Sequence, residues 1–244
     1  MVGKRTVNRG SLKSIAPKKS DKINFIGYAD DFVITGASKE LLENKIKPQI
    51  INFLQERGLT LSEEKTLVTH INDGFDFLGF NLRKYKGKLL TKPCKNNVLL
   101  FVRHVRKIIK KHPTIAAGDL IRMLNPKLRG WANYYRHSVA KQTFSYVDCQ
   151  LFRSLSRWAN RRHPNKGKRW IASKYFLANS EGWQFQGTQK IFGINQPIYI
   201  EILGYLPIRR HVKIQGQATR YDPEFEDYFF RRKLKLTGRL ETCK

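Results

Sequence analysis

The 244 residues carry 47 Lys and Arg against 19 Asp and Glu, a formal charge of +28 with a pI near 10.3. One sign in such excess goes beyond what solubility needs and marks a surface suited to a polyanion, of which nucleic acid is the commonest. A hydrophobic content of 41% with 12% aromatic residues argues against a disordered basic tail, and the longest apolar runs fall short of the ~18 residues of a membrane span.

Cys94, Cys149 and Cys243 are far apart, with neither a disulfide framework nor a zinc-type CxxC pair. A reducing, intracellular setting, cytoplasmic and without membrane, is expected. Residues 1–20 are basic and acid-free but lack the apolar segment of a secretory signal, and read as a tail.

Charge then divides the chain. Residues 21–90 hold ten basic and ten acidic side chains. Within them, residues 23–28 and 32–35 are short β-favouring runs flanking Ala29-Asp30-Asp31, as in a hairpin with an acidic tip. Ser38 suits a helix N-cap, and a helix over 39–57 would place Leu42, Ile46, Ile50 and Phe53 on one face, with Gly58 ending it. Residues 59–61, 65–70, 75–82 and 88–90 supply extended pieces, with turns at Asn72-Asp73-Gly74 and Lys86-Gly87.

Residues 98–176 hold eighteen basic side chains and two acidic ones. Leu100, Val105, Ile108 and Ile109 form one helical stripe, Phe144, Val147, Leu151, Phe152, Leu155 and Trp158 another, with Pro113, Pro126 and Pro164 as boundaries. Residues 183–214 turn β-rich and Gly-punctuated, and 221–232 suit a short helix. The expected class is α+β: a basic tail (1–20), a neutral strand-and-helix unit (21–92), a basic helical bundle (93–176), a β-rich extension (177–220), then a short helix and basic tail (221–244).

Paired carboxylates repel unless a cation compensates them. Mg²⁺ binds through one or two carboxylates plus substrate phosphates, which suits phosphoryl transfer on nucleic acid. Asp30 and Asp31 taken alone are better explained as turn residues. Their context favours the chemistry. The run Phe25-Ile26-Gly27-Tyr28-Ala29-Asp30-Asp31-Phe32 resembles the YxDD hairpin of reverse transcriptases, in the YADD form of group II intron proteins. In matching order follow Gly58-Leu59-Thr60-Leu61-Ser62-Glu63-Glu64-Lys65-Thr66, the FLGF-like Phe77-Leu78-Gly79-Phe80, and Leu128-Arg129-Gly130-Trp131-Ala132-Asn133-Tyr134-Tyr135-Arg136, similar to the GWxNYY core of the maturase or X domain.

The resemblance implies a partial reverse-transcriptase palm followed by a thumb/maturase bundle. It implies Asp30 and Asp31 as catalytic and metal-binding carboxylates of a two-metal Mg²⁺ site, and Tyr28, Ala29, Lys65 and Gly79 near the nucleotide and primer end. In that family the fingers and a first palm strand with another metal-binding Asp precede the hairpin; only 27 residues precede Tyr28 here, and Asp21 is a poor substitute. The expectation is an incomplete metal site and little or no polymerase activity for this chain alone, unless a separate polypeptide supplies the missing parts. Endonuclease activity is not expected, because the paired-cysteine region of many relatives is absent before Lys244.

The family's bundle grips template–primer nucleic acid and structured intron RNA. Arg103, Arg106, Lys107, Lys110 and Lys111 on one candidate helix, Arg153, Arg157, Arg161 and Arg162 on another, and Lys166, Lys168 and Arg169 after it are the candidate phosphate contacts. Tyr134, Tyr135 and Trp170 could stack on unpaired bases, whereas Trp131 and Trp158 read as core. The expected function is binding of group II intron RNA to assist splicing and, when completed, RNA-directed DNA synthesis. The alternatives are a non-catalytic basic RNA-binding protein and a decayed intron remnant.

Overall fold

A computed structural model describes residues 22–179, 182–209, 214–216 and 218–237. The basic tail over 1–20, Asp21 and Cys243 lie outside them. The chain is α+β, with three small antiparallel sheets and a helical bundle.

The first two sheets are built on tight two-residue turns. β1 (Asn24–Tyr28) and β2 (Asp31–Thr35) pair with Tyr28 opposite Asp31, leaving Ala29-Asp30 as the loop. β3 (Phe75–Phe77), β4 (Phe80–Tyr85) and β5 (Lys88–Pro93) turn at Leu78-Gly79 and Lys86-Gly87. The run expected as one extended piece over 75–82 is thus folded back on itself. Leu78-Gly79 has φ +48 and +77, and Lys86-Gly87 has +46 and +81, the paired positive values of the hairpin turn whose twist matches the strands. A Gly at the second position makes such a turn possible after Leu as well as Lys.

The expected helix over 39–57 is present but broken in register. Ser38 Oγ accepts the Leu41 N–H at 3.2 Å, as a cap should. A π-helical turn (Leu41–Ile46) then precedes α1 (Lys47–Gln55). Pro48 has no N–H to give to the preceding turn and its ring crowds the carbonyl four residues back, so the ladder widens just before it. The register shift carries Phe53 out to solvent, where the Arg57 guanidinium lies 3.6 Å from its ring centre, while Ile46 is buried. Residues 59–61 and 65–70 form turns and irregular chain rather than strands.

The hydrophobic core begins at Val98. It gathers α2 (Lys95–Lys111), α3 (Ala117–Tyr135), α4 (Lys141–Arg162), α5 (Lys168–Tyr175) and the inner face of a sheet made by β6 (Phe176–Asn179), β7 (Gly182–Ile191) and β8 (Ile194–Tyr199). The buried stripe of α2 is Val98, Val102, Val105 and Ile109; Leu100, expected on it, is exposed. Pro126 sits inside α3 instead of ending it. Asn125 beside it reaches across to the sheet, donating to Tyr199 O at 2.9 Å and accepting from Glu201 N–H at 3.0 Å.

Sheet and bundle share one core because α3 and β7 meet backbone to backbone. A Cβ on Gly118 would lie 2.0 Å from Thr188 O, and one on Gly187 would lie 2.4 Å from Gly118 N. Only glycine permits either approach. Asp148 of α4 completes the joint, accepting the N–H groups of Leu203 (2.9 Å) and Gly204 (2.7 Å). Burial raises its carboxyl pKa, and these two bonds pull it back down. α6 (Glu226–Thr237) follows a 3₁₀ turn (Pro223–Phe225) capped by Asp222.

Candidate nucleic-acid interface and the acidic hairpin

The basic module contains two acids, and both are committed. Asp119 pairs with Arg122 at 2.7 Å, and Asp148 is occupied as above. Among the described residues the only other ion pair of this module is that of Arg129, which bonds Glu201 through Nε at 2.8 Å.

Two rows of these cations border one seam. Arg106 of α2 donates to Gln150 Oε1 of α4, fixing which sides of the helices meet. Arg103, Arg106 and Lys110 follow spacings of three and four, so they share that side of α2. Gln150, Arg153, Arg157 and Arg161 follow the same rule on α4. Arg103, Lys107, Lys110, Lys111, Arg153, Arg157 and Arg161 are all exposed. Where the seam ends, Pro113, Thr114, Arg161 and Arg162 line an open cleft of about 350 Å³. Lys166, Lys168 and Arg169 are exposed just beyond it.

Two of the predicted phosphate contacts are engaged in holding the protein's own frame. Arg106 is half-buried against Gln150. Arg162 donates to Ile115 O and lies 5.2 Å over the Trp158 ring, while Trp158 Nε1 donates to His112 O at 2.8 Å. A basic residue read from sequence gives no sign of this difference, because the partner is a side chain of another helix for Arg106 and a backbone carbonyl of another loop for Arg162.

The structure corrects the stacking role expected of Tyr135 and gives Tyr134 a second task. Tyr135 is buried, and Phe80 packs on both rings at 5.2 and 5.1 Å. Tyr134 OH donates to Leu78 O at 2.7 Å. Gly79 has no room for a side chain: a Cβ would lie 2.6 Å from Asn97 Nδ2 and 3.0 Å from Tyr135 OH. The two tyrosines thus fasten the Leu78-Gly79 turn to α3; burial removes Tyr135 as a stacking face, whereas Tyr134 stays 52% exposed. Burial raises the Tyr135 pKa. Trp131 stacks on Phe101 at 4.6 Å and Trp158 is 4% exposed, so both are core.

Asp30 and Asp31 are both exposed at the β1–β2 tip. The hairpin buries none of its side chains fully, and Phe25 and Tyr28 are each 65% exposed. Ala29 holds φ +49 without the glycine that relieves the turns after β3 and β4. A side chain in that region costs about 1–2 kcal/mol. Lys65 is exposed in a turn closed by Thr66 N–H to Ser62 O at 3.1 Å. Among the described residues no group of three His, Cys, Asp or Glu is placed to hold a metal. Two adjacent carboxylates suit one Mg²⁺ shared with phosphates, but they do not fit a two-metal cage. No helix is long and apolar enough to cross a membrane, among the described residues.

Comparison with known proteins gives two family matches in this order along the chain. Residues 6–82 match the reverse transcriptase (RNA-dependent DNA polymerase) family, and residues 98–176 match the group II intron, maturase-specific domain. The group II intron-encoded protein LtrA of Lactococcus lactis subsp. cremoris is 29% identical over 143 residues, covering 46% of this chain and 24% of that protein. Maturase-like protein 1 of Euglena gracilis is 28% identical over 101 residues, covering 39% of this chain and 21% of that protein. The chain spans about a quarter or less of these relatives' lengths.

Proposed function

Because the chain belongs to the group II intron-encoded reverse transcriptase/maturase family, we propose that its helical module binds structured intron RNA and assists splicing. The observation that carries this reading is the α2–α4 seam, bordered by exposed arginines and lysines that no acid of the module neutralises. Phosphate neutralisation and counterion release supply the affinity. A rigid bundle presenting fixed cations recognises the shape of folded RNA, since A-form grooves offer side chains little sequence information.

The test is splicing of a group II intron precursor transcript at Mg²⁺ too low for efficient self-splicing. Added protein should bind the transcript and raise the spliced fraction. Absence of both effects, with a folded protein, would overturn the reading.

RNA-directed DNA synthesis is the second reading, favoured by the Tyr28–Asp31 register that presents both acids at the hairpin tip. In this reading Asp30 and Asp31 hold Mg²⁺, while Tyr28, Ala29, Lys65 and Gly79 lie toward the template–primer end. Mg²⁺ would supply charge neutralisation at the phosphates. Two-metal chemistry would need a further carboxylate, which no described residue supplies at this tip. Primer extension by this chain alone should be negligible, and robust extension abolished by Asp30→Ala would contradict that.

A further inference from the structure

Past the end of the seam, α4 gives way to residues 163–167 and then α5, and the cations there converge on one indole. Lys174 Nζ lies 4.8 Å and Lys166 Nζ 5.5 Å from the Trp170 ring centre. The His163 ring meets Trp170 edge-on at 4.9 Å, and its Nε2 lies 2.7 Å from Tyr175 OH. Tyr175 and Ile171 are buried, so α5 is anchored and Trp170, 38% exposed, is held at a fixed position on the surface. From Cys149 to Asn179 the sequence contains no Asp or Glu.

We propose that Trp170, with Lys166 and Lys174, forms a subsite for one unpaired RNA nucleotide, the indole stacking on its base and the two ammonium groups taking its flanking phosphates. This rests on the RNA-binding reading above and locates within it a contact that duplex RNA cannot make. Two like charges on one ring repel each other, and each gains only a weak attraction from the ring face. A nucleotide resolves that conflict: its phosphates draw the ammonium groups off the indole, and its base takes the vacated face. Every base has such a face, so the subsite accepts any base that is not already paired. Lys166 also lies close in sequence to Arg161 of the cleft that ends the seam, so a strand following the seam would arrive here.

The test uses fluorescence anisotropy with two labelled RNA hairpins of equal length, one carrying a single-nucleotide bulge and the other fully paired. Trp170→Leu should weaken binding of the bulged RNA about tenfold while leaving the paired RNA within about twofold, and Trp170→Phe should restore most of the loss. Equal effects on both RNAs, or none, would overturn the subsite while leaving the seam intact. Failure of the wild-type protein to bind either RNA would overturn both readings. Should Trp170→Leu not fold, the exposed pair Lys166→Gln with Lys174→Gln decides: the salt slope for the bulged RNA should fall by about 1.4. An unchanged slope refutes the phosphate contacts.

Discussion

Replacing Arg153, Arg157 and Arg161 by Gln removes three charges from one border of the seam while leaving Arg162, which bonds Ile115 O, in place. All three are exposed, so the buried face of α4 should be unaffected. Counterion release predicts a slope of log K against log salt of about −0.9 per duplex phosphate contacted. Three lost contacts should therefore flatten the slope by about 2.7. Such a contribution vanishes near ~1 M salt and grows by about 0.7 of a decade per contact on dilution to ~0.15 M, so affinity there should fall about a hundredfold. Filter binding or anisotropy with a structured intron RNA at several salt concentrations measures both quantities, and circular dichroism checks the helix. A slope change below about 1 would mean that these arginines do not face phosphate, and the seam would have to be abandoned as the binding surface.

Gly79→Ala forces a side chain into φ +77 and against Asn97 and Tyr135, and should cost about 3 kcal/mol, seen as a melting midpoint lower by about 6–12 °C. Asp148→Asn leaves one of the Leu203 and Gly204 N–H groups facing an amide NH₂. It should destabilise by about 1–2 kcal/mol in urea unfolding, and an unchanged midpoint would show that the bonds are dispensable. The pKa of His163 is lowered by burial and then by Lys174, Arg162 and Lys166, so the folded state resists its protonation. The stability it contributes is complete above the ordinary value of about 6.5 and is lost as pH falls through the depressed one. His163→Gln should flatten that decline between about pH 7 and 5, and parallel profiles would exclude His163 as its source. Asp30→Ala with Asp31→Ala should leave RNA affinity within about twofold, since the seam lies on other elements; a larger loss would place the hairpin in the interface.

Local chemistry made much of this fold legible. Ser38 announced a cap, Lys86-Gly87 a turn, and the stripe from Phe144 to Trp158 a buried helical face, because each depends on neighbours within a few residues. The misreadings arose where distant contacts decide. Pro126 lies inside α3 in a stretch held by tertiary bonds from Asn125, and Leu100 loses its place to Val98 and Val102 because the partner helix sets which stripe is buried. Asp30 and Asp31 were recognisable from the motif around them. The roles of Tyr134 and Tyr135 were not, since their partner is a turn more than fifty residues earlier in the chain.

That turn also determines how the two halves of the chain depend on each other. Among the described residues the core cluster draws every member from residues 98–203, and of those before residue 98 only Phe80 packs partly against it. The sheet β3–β5 is nevertheless held firmly, through Tyr134 OH to Leu78 O, Cys94 N–H to Gly79 O at 2.9 Å and Val139 N–H to Thr91 O at 2.9 Å. Among the described residues no such bond ties the acidic hairpin to the core, and its strands leave Phe25, Ile26 and Tyr28 in solvent. Two-stranded hairpins are marginal in water without a face to pack on, so β1–β2 gains little support from burial. The α2–α4 seam, by contrast, is carried on helices whose opposite faces are buried in the core. The proposed grip on folded RNA needs fixed cations, and here fixity comes from the core. The paired acids, set on a strained and largely solvent-exposed turn, draw no such support from burial among the described residues.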